Sequence, residues 1–117
     1  METITSKQEI SDLFSSGKRF HTPYLTFIVL PTKRHDLNGR VAFIAGKKLG
    51  NAVWRNRAKR RMREACYLAG GPWKGFDVVF LAKRNVNSIT FKTLVSVCTE
   101  TAQKAGFVRD SVYDRQN

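Results

Sequence analysis

The sequence predicts an α+β fold: a single layer of about four strands, mixed or antiparallel, carrying three helices in the order α-β-β-β-α-β-α. Three observations predict it. Apolar residues recur at helical spacing in three separated stretches, each closed by glycine. Between them lie short alternating or continuously apolar runs of strand length. A chain of 117 residues, 42% hydrophobic, has room for one core, so residues 1–117 read as one domain with ends that fray at about 1–6 and 107–117.

Taken in order, Ser6 is placed to cap a helix over Lys7–Ser16 that Gly17 ends, with Ile10, Leu13 and Phe14 forming one apolar edge. Lys18–Pro31 holds a short extended piece and then a strand, Tyr24–Leu30. That strand is apolar on both faces, so it is central or faces a partly covered cleft. A polar turn, Pro31–Gly39, precedes a strand at Arg40–Ala45, and Asn38-Gly39 predicts a hairpin between the two strands.

Gly46-Lys47-Lys48-Leu49-Gly50 then leads into a helix from Ala52 to about Ala69, capped by Asn51 and stopped by Gly70-Gly71-Pro72. Its core stripe is Trp54, Ala58, Met62, Ala65 and Ala69, with Cys66 and Leu68 at the margins. After a turn, Phe76–Ala82 (FDVVFLA) reads as a strand covered on both faces. Ser88 or Thr90 starts a last helix, with Phe91, Leu94, Val95, Cys98, Ala102 and Ala105 toward the core and Gly106 as its stop.

Charge is concentrated. The net charge is +12, and the stretch from Lys47 to Ala69 holds eight cations against one anion, Glu64. Arg55, Arg57, Lys59, Arg60, Arg61 and Arg63 fall within nine residues. Like charges one turn apart destabilise a helix by a few tenths of a kcal/mol per pair. A solvated charged face normally mixes signs, so this one reads as a polyanion site, where phosphates remove the repulsion. Arginine forks match phosphate oxygens, and the Asn56 amide suits a base edge or a 2′-hydroxyl. Asn56, Lys59, Arg60 and Arg63 point away from the core stripe with Arg57 on the flank. Arg55 and Arg61 lie nearer its margins, their stems along the body and their guanidiniums reaching out. Two glycines around Lys47 and Lys48 form a loop that lets backbone approach a phosphate near the helix N-terminus.

Other classes are poorly supported. No apolar run approaches the roughly 20 residues of a membrane span, and METITSKQEI lacks a signal-peptide core. Cys66 and Cys98 read as buried reduced thiols, which fits a cytoplasm. None of the nine carboxylates forms a close pair on a predicted element, and the two cysteines and two histidines lack zinc spacing. His21 and His35 sit in predicted edges or loops, with nothing to place them together as an acid–base pair. Asp77, at a strand start, reads as structural, satisfying a helix or loop amide.

The run KKLGNAVWRNRAKRRMREA resembles the signature of the bacterial ribonuclease P protein subunit: Lys47, Lys48, Gly50, Asn51, Ala52, Val53, Arg55, Asn56, Arg57, Lys59, Arg60, Arg63 and Glu64. A preceding Leu-Phe-x-x-Gly and a following Phe-Asp-Val-Val fit in order, so the resemblance covers about residues 8–105. It implies a left-handed β-α-β crossover around the basic helix. It implies a subunit of the tRNA 5′-maturation endoribonuclease in which the RNA subunit cuts precursor tRNA with Mg2+. The protein then has no catalytic residue and binds no cofactor of its own. Its partners would be ribonuclease P RNA and precursor tRNA with its 5′ leader, in the cytoplasm, with no membrane and no obligate protein partner.

For RNA contact the reading assigns Lys47, Lys48, Arg55, Asn56, Arg57, Lys59, Arg60 and Arg63. The resemblance adds Phe14 for the leader, beside a first helix that borders the leader cleft; Ile10 stands there where the family often has an aromatic, and Gly46 where it has a serine. The alternative is a ribosomal or RNA-chaperone protein using the same helix.

Overall fold

The computed structural model describes residues 1–34 and 36–107. The tail beyond Phe107, expected to fray, and His35 lie outside the described residues. Helix α1 spans Lys7–Ser16, strands β1, β2 and β3 span Lys18–His21, Leu25–Pro31 and Arg40–Ile44, and helix α2 spans Ala52–Leu68. Strand β4 (Phe76–Ala82) and helix α3 (Phe91–Lys104) complete the order, with short 3-10 turns at Lys47–Leu49 and Arg84–Asn87.

Each helix begins where a side chain satisfies its first free amides. Ser6 accepts from the Glu9 amide, Asn51 from Trp54 and Thr90 from Thr93. Of the two candidate starts for α3, Thr90 is therefore the cap.

The sheet order is β1-β2-β4-β3. β2 is antiparallel to both β1 and β4, and β3 runs parallel to β4, joined to it through α2. The hairpin expected at Asn38-Gly39 does not form, because β4 lies between β2 and β3. Val78, Val79 and Phe80 are fully buried, which suits an interior strand. Gly39 instead passes tightly under Trp73: a Cβ there would stand 2.2 Å from the Trp73 carbonyl oxygen. The tight hairpin joins β1 to β2, where Thr22 Oγ1 donates to the Leu25 carbonyl at 2.7 Å and accepts from the Leu25 amide at 3.0 Å.

The two sheet faces are covered unequally. On one, Leu25, Phe27, Val29, Val41, Val78 and Phe80 pack against Ala58, Met62, Ala65 and Cys66 of α2 and Leu94, Cys98 and Ala102 of α3. Trp73 closes this core, its ring 4.9 Å from that of Phe107. On the other, among the described residues, Ile28, Ala42 and Val79 meet Leu13 of α1 and Ile4, leaving Ile10, Phe14, Leu30, Ile44 and Leu81 half-buried around them. The double apolar character of β2 follows: one face is core, the other a partly covered cleft.

Residues 1–6, expected to fray, dock on the sheet at one point. Ile4 is buried, its amide donates to the Val41 carbonyl at 2.8 Å, and Val41 donates back to Glu2 at 3.2 Å. This short parallel bridge covers the outer edge of β3. Its driving force is Ile4, a large apolar side chain in an otherwise polar segment.

Helix α1 is tied down by charge as well. Arg40 Nη2 lies 2.9 Å from Asp77 Oδ2 on β4 and 2.5 Å from Glu9 Oε2 on α1, and Nη1 lies 3.1 Å from Glu9 Oε1. Asp77 is structural, as expected, yet its partner is this guanidinium instead of an amide. Among the described residues no helix is long and apolar enough to cross a membrane.

Candidate nucleic-acid interface

Helix α2 presents its two faces as its spacing requires. Ala58, Met62, Ala65 and Ala69 are buried against the sheet, and Trp54 is half-buried. Asn56, Arg57, Arg60 and Arg63 are exposed, while Arg55 and Lys59 are half-buried. Lys47 and Lys48 are exposed on the 3-10 turn at the helix entrance. There Gly50 lies close against Trp54: a Cβ at Gly50 would meet the Trp54 Cβ at 2.9 Å. The structure therefore brings the sequence-assigned cations onto one helix and its leading turn.

Arg61 departs from the expectation that its guanidinium reaches out. It is buried, with Nη1 donating to the Val86 carbonyl at 2.7 Å and Nη2 donating to Ile89. These carbonyls belong to the chain entering α3, and among the described residues no backbone amide donates to them. Ala58 and Ala65, one turn either side of Arg61, carry only methyl groups beside the stem. Burial, and secondarily the charge of Arg57, lowers the Arg61 pKa from its ordinary value. Asn87 adds a second tie, donating to the Trp54 carbonyl at 3.1 Å.

Among the described residues the remaining cations of α2 have no acidic partner. Among the described residues the ion pairs join Arg34 to Glu2 and Asp36, and Arg40 to Glu9 and Asp77. None reaches α2. Arg63 is oriented by an aromatic ring, its guanidinium carbon 5.5 Å from the centroid of Phe43 on β3. The guanidiniums of α2 that have no carboxylate partner among the described residues make its outward face strongly positive, and their forks have the geometry of an oxyanion's oxygens.

Phe14 lies elsewhere. It packs at the margin of the α1 side of the sheet, whereas α2 covers the opposite face, so the structure does not merge the two in one patch. A residue that the sequence reading passed over completes the Phe14 neighbourhood. The Arg19 guanidinium carbon stands 5.6 Å from the Phe14 ring centroid, and Nη2 donates to the Phe14 carbonyl at 2.9 Å. The signal was available, since a cation just past a helix end satisfies its last carbonyls.

His21 Nδ1 lies 3.1 Å from Thr26 Oγ1, and His35 is outside the described residues. Glu9 and Asp77 do converge, but on Arg40, which holds the Glu9 carboxyl below its ordinary pKa. Among the described residues no group of three or more His, Cys, Asp or Glu side chains could hold a metal ion. Cys66 and Cys98 are free and buried, and burial pushes both thiols up to about 12.

Comparison with known proteins bears on these faces. The family model described as ribonuclease P matches residues 1–106. The ribonuclease P protein component of Finegoldia magna is 32% identical over 103 residues, 87% of this chain and 88% of the relative. That of Gluconacetobacter diazotrophicus is 33% identical over 105 residues, covering 88% and 90%. Among solved structures, a Staphylococcus aureus RNase P protein mutant with defective mRNA degradation activity superposes with TM-score 0.79 at 20% identity, over 91% of this chain and 89% of that one. The RNase P protein from Thermotoga maritima gives TM-score 0.70 at 21% identity, over 86% and 97%. At those identities the structures speak for the fold alone.

Proposed function

This chain belongs to the ribonuclease P protein family, and we propose that it is the RNA-binding subunit of a ribonuclease P holoenzyme, promoting endonucleolytic maturation of tRNA 5′ ends. In this reading Arg55, Asn56, Arg57, Lys59, Arg60 and Arg63 lie against the RNA subunit, with Lys47 and Lys48 at the helix entrance. Phe14, backed by Arg19, takes a base of the 5′ leader by stacking, with the guanidinium near the following phosphate. Mg2+ and the cleavage step reside on the RNA. The protein supplies phosphate neutralisation and substrate positioning remote from the scissile bond. It works in the cytoplasm, with no membrane and no obligate protein partner.

One observation carries the reading: among the described residues the outward cations of α2 have no carboxylate partner, although acids elsewhere are committed to Arg34 and Arg40. Self-repulsion of that kind is relieved by a phosphate chain, and arginine is the side chain whose fork matches it.

The test is reconstitution of the protein with ribonuclease P RNA, measuring affinity across salt and leader removal at low Mg2+. Replacing Arg57 and Arg60 together by Ala should weaken binding and flatten the plot of log affinity against log salt. The expected change is about 0.7–0.9 of slope per lost phosphate contact. An unchanged slope in a folded double variant would refute the assignment. Tight binding to ribosomal RNA with no gain in leader removal would assign the face to another RNA.

A further inference from the structure

Past Arg63 the outward face of α2 changes character. Tyr67 is 69% exposed and Leu68 60% exposed, although the core stripe one residue further on is buried. With Met1, Arg63, Glu64 and Phe91 they line an almost wholly apolar groove of about 450 Å³ over the end of α2 and the start of α3. Among the described residues nothing covers this surface. Tyr67 and Leu68 are adjacent, and the groove is continuous with the arginine face through Arg63.

We propose that this groove seats a single unstacked nucleobase on the Tyr67 ring, continuing the RNA track that runs along α2. The inference rests on the reading of α2 as the RNA face. Arg60, Arg63 and Tyr67 stand at i, i+3 and i+7, so they form one line along the helix surface. From Arg63 to Tyr67 the axis rises roughly 6 Å, short enough for one nucleotide to set its phosphate at Arg63 and its base on Tyr67. Arg63 is held over Phe43, which fixes the phosphate end of the site. The lining offers little polar surface, so it reads the face of a base and not its edge, and the site tolerates any base.

Charge decides between a nucleotide and an apolar protein partner. Five outward or half-buried cations, Arg55, Arg57, Lys59, Arg60 and Arg63, precede the groove on the same helix, and Glu64 is the one acid beside them. A protein docking an apolar side chain here would approach that uncompensated charge. A nucleotide brings the opposite charge and a flat apolar face in one residue.

The experiment uses the full chain reconstituted with ribonuclease P RNA, with Tyr67 replaced by Ala, Leu or Trp. Tyr67 is exposed, so all three variants should fold, which thermal unfolding verifies. The Ala and Leu variants should each bind about 10-fold more weakly with the salt slope unchanged, because a stack is lost and no phosphate contact is. The Trp variant should retain full affinity. Wild-type affinity in the Ala variant overturns the proposal, as does full rescue by Leu, which keeps apolar bulk without a π-face. A wild-type chain that sediments as a dimer, with the Ala variant monomeric, also overturns it by giving the groove to a second copy. The Arg57/Arg60 double variant separates the two readings. If it flattens the slope while Tyr67 is inert, only the base site fails; if it leaves the slope unchanged, the RNA face itself fails.

Discussion

Replacing Arg40 by Met asks what holds α1 against the sheet. The Arg40 side chain is 8% exposed and Asp77 11%, while Glu9 is 41% exposed. Removing the guanidinium therefore strands Asp77 as a buried charge, whereas Glu9 turns into water at small cost. Breaking a buried pair in this way costs about 3–5 kcal/mol. In a chain of 117 residues, 1 kcal/mol corresponds to about 4 °C in Tm, so Arg40→Met should melt about 12–20 °C lower. Adding Asp77→Leu to that variant should recover most of the loss, since the stranded charge is gone and the site is apolar on both sides. Equilibrium urea unfolding at neutral pH measures both. An Arg40→Met chain within about 1 kcal/mol of wild type, or a double variant less stable than the single one, would refute the reasoning.

The same cluster has an acid signature. Arg40 holds the Glu9 carboxyl below its ordinary value of 4.5, chiefly by hydrogen bonding. A depressed folded-state value means that the carboxylate contributes stability above the unfolded value and loses it as pH falls through the lowered one. Glu9→Gln should therefore cost stability at pH 7, with the gap to wild type constant down to about pH 6 and closing in acid. Because Glu9 is substantially exposed, solvent screening keeps that gap to about 1 kcal/mol or less.

Two further expectations separate structure from recognition. Arg61→Ala strips donors from the Val86 and Ile89 carbonyls, so it should cost about 3 kcal/mol in urea unfolding and leave the salt slope of RNA binding unchanged; a flattened slope would place Arg61 on the RNA. Cys66 and Cys98, with thiols pushed up to about 12, should resist iodoacetamide at pH 8 in the folded chain and react once it is unfolded in urea. Mass spectrometry distinguishes the two, and alkylation of the native chain at the rate of a free thiol would contradict their burial.

What could be read from the sequence was what depends on near neighbours. Ser6, Asn51 and Thr90 cap helices through contacts three residues away, and the α2 faces follow from one periodicity. The exposure of Arg57, Arg60 and Arg63 was legible for the same reason, since exposure on a helix needs only its register. Contacts between distant segments were not legible. Arg40 meets Glu9 and Asp77 across 31 and 37 residues, and Arg61 finds its carbonyls 25 and 28 residues on. Asn38-Gly39 carried a genuine turn signal, but β4 could take the place between β2 and β3 because both its faces are apolar. Burying a whole apolar strand stabilises the sheet more than one favourable turn does, so the local signal lost.

The acids show the same division of labour. Seven carboxylates fall in the described residues: Glu2, Glu9, Asp12, Asp36, Glu64, Asp77 and Glu100. Four of them are paired to Arg34 and Arg40, at the end of the sheet where α1 and the β3 edge are fastened. Glu64 is the one acid on α2. Neutralising power is thus available in the chain and is spent on tertiary structure, while Arg61 is satisfied by neutral carbonyls that add no negative charge to the helix. Had a carboxylate served Arg61, the potential over Arg57 and Arg60 would be lower. A buried arginine on carbonyls fixes α2 to the segment before α3 while leaving intact the positive field of the outward face, the field that the proposed RNA contact requires.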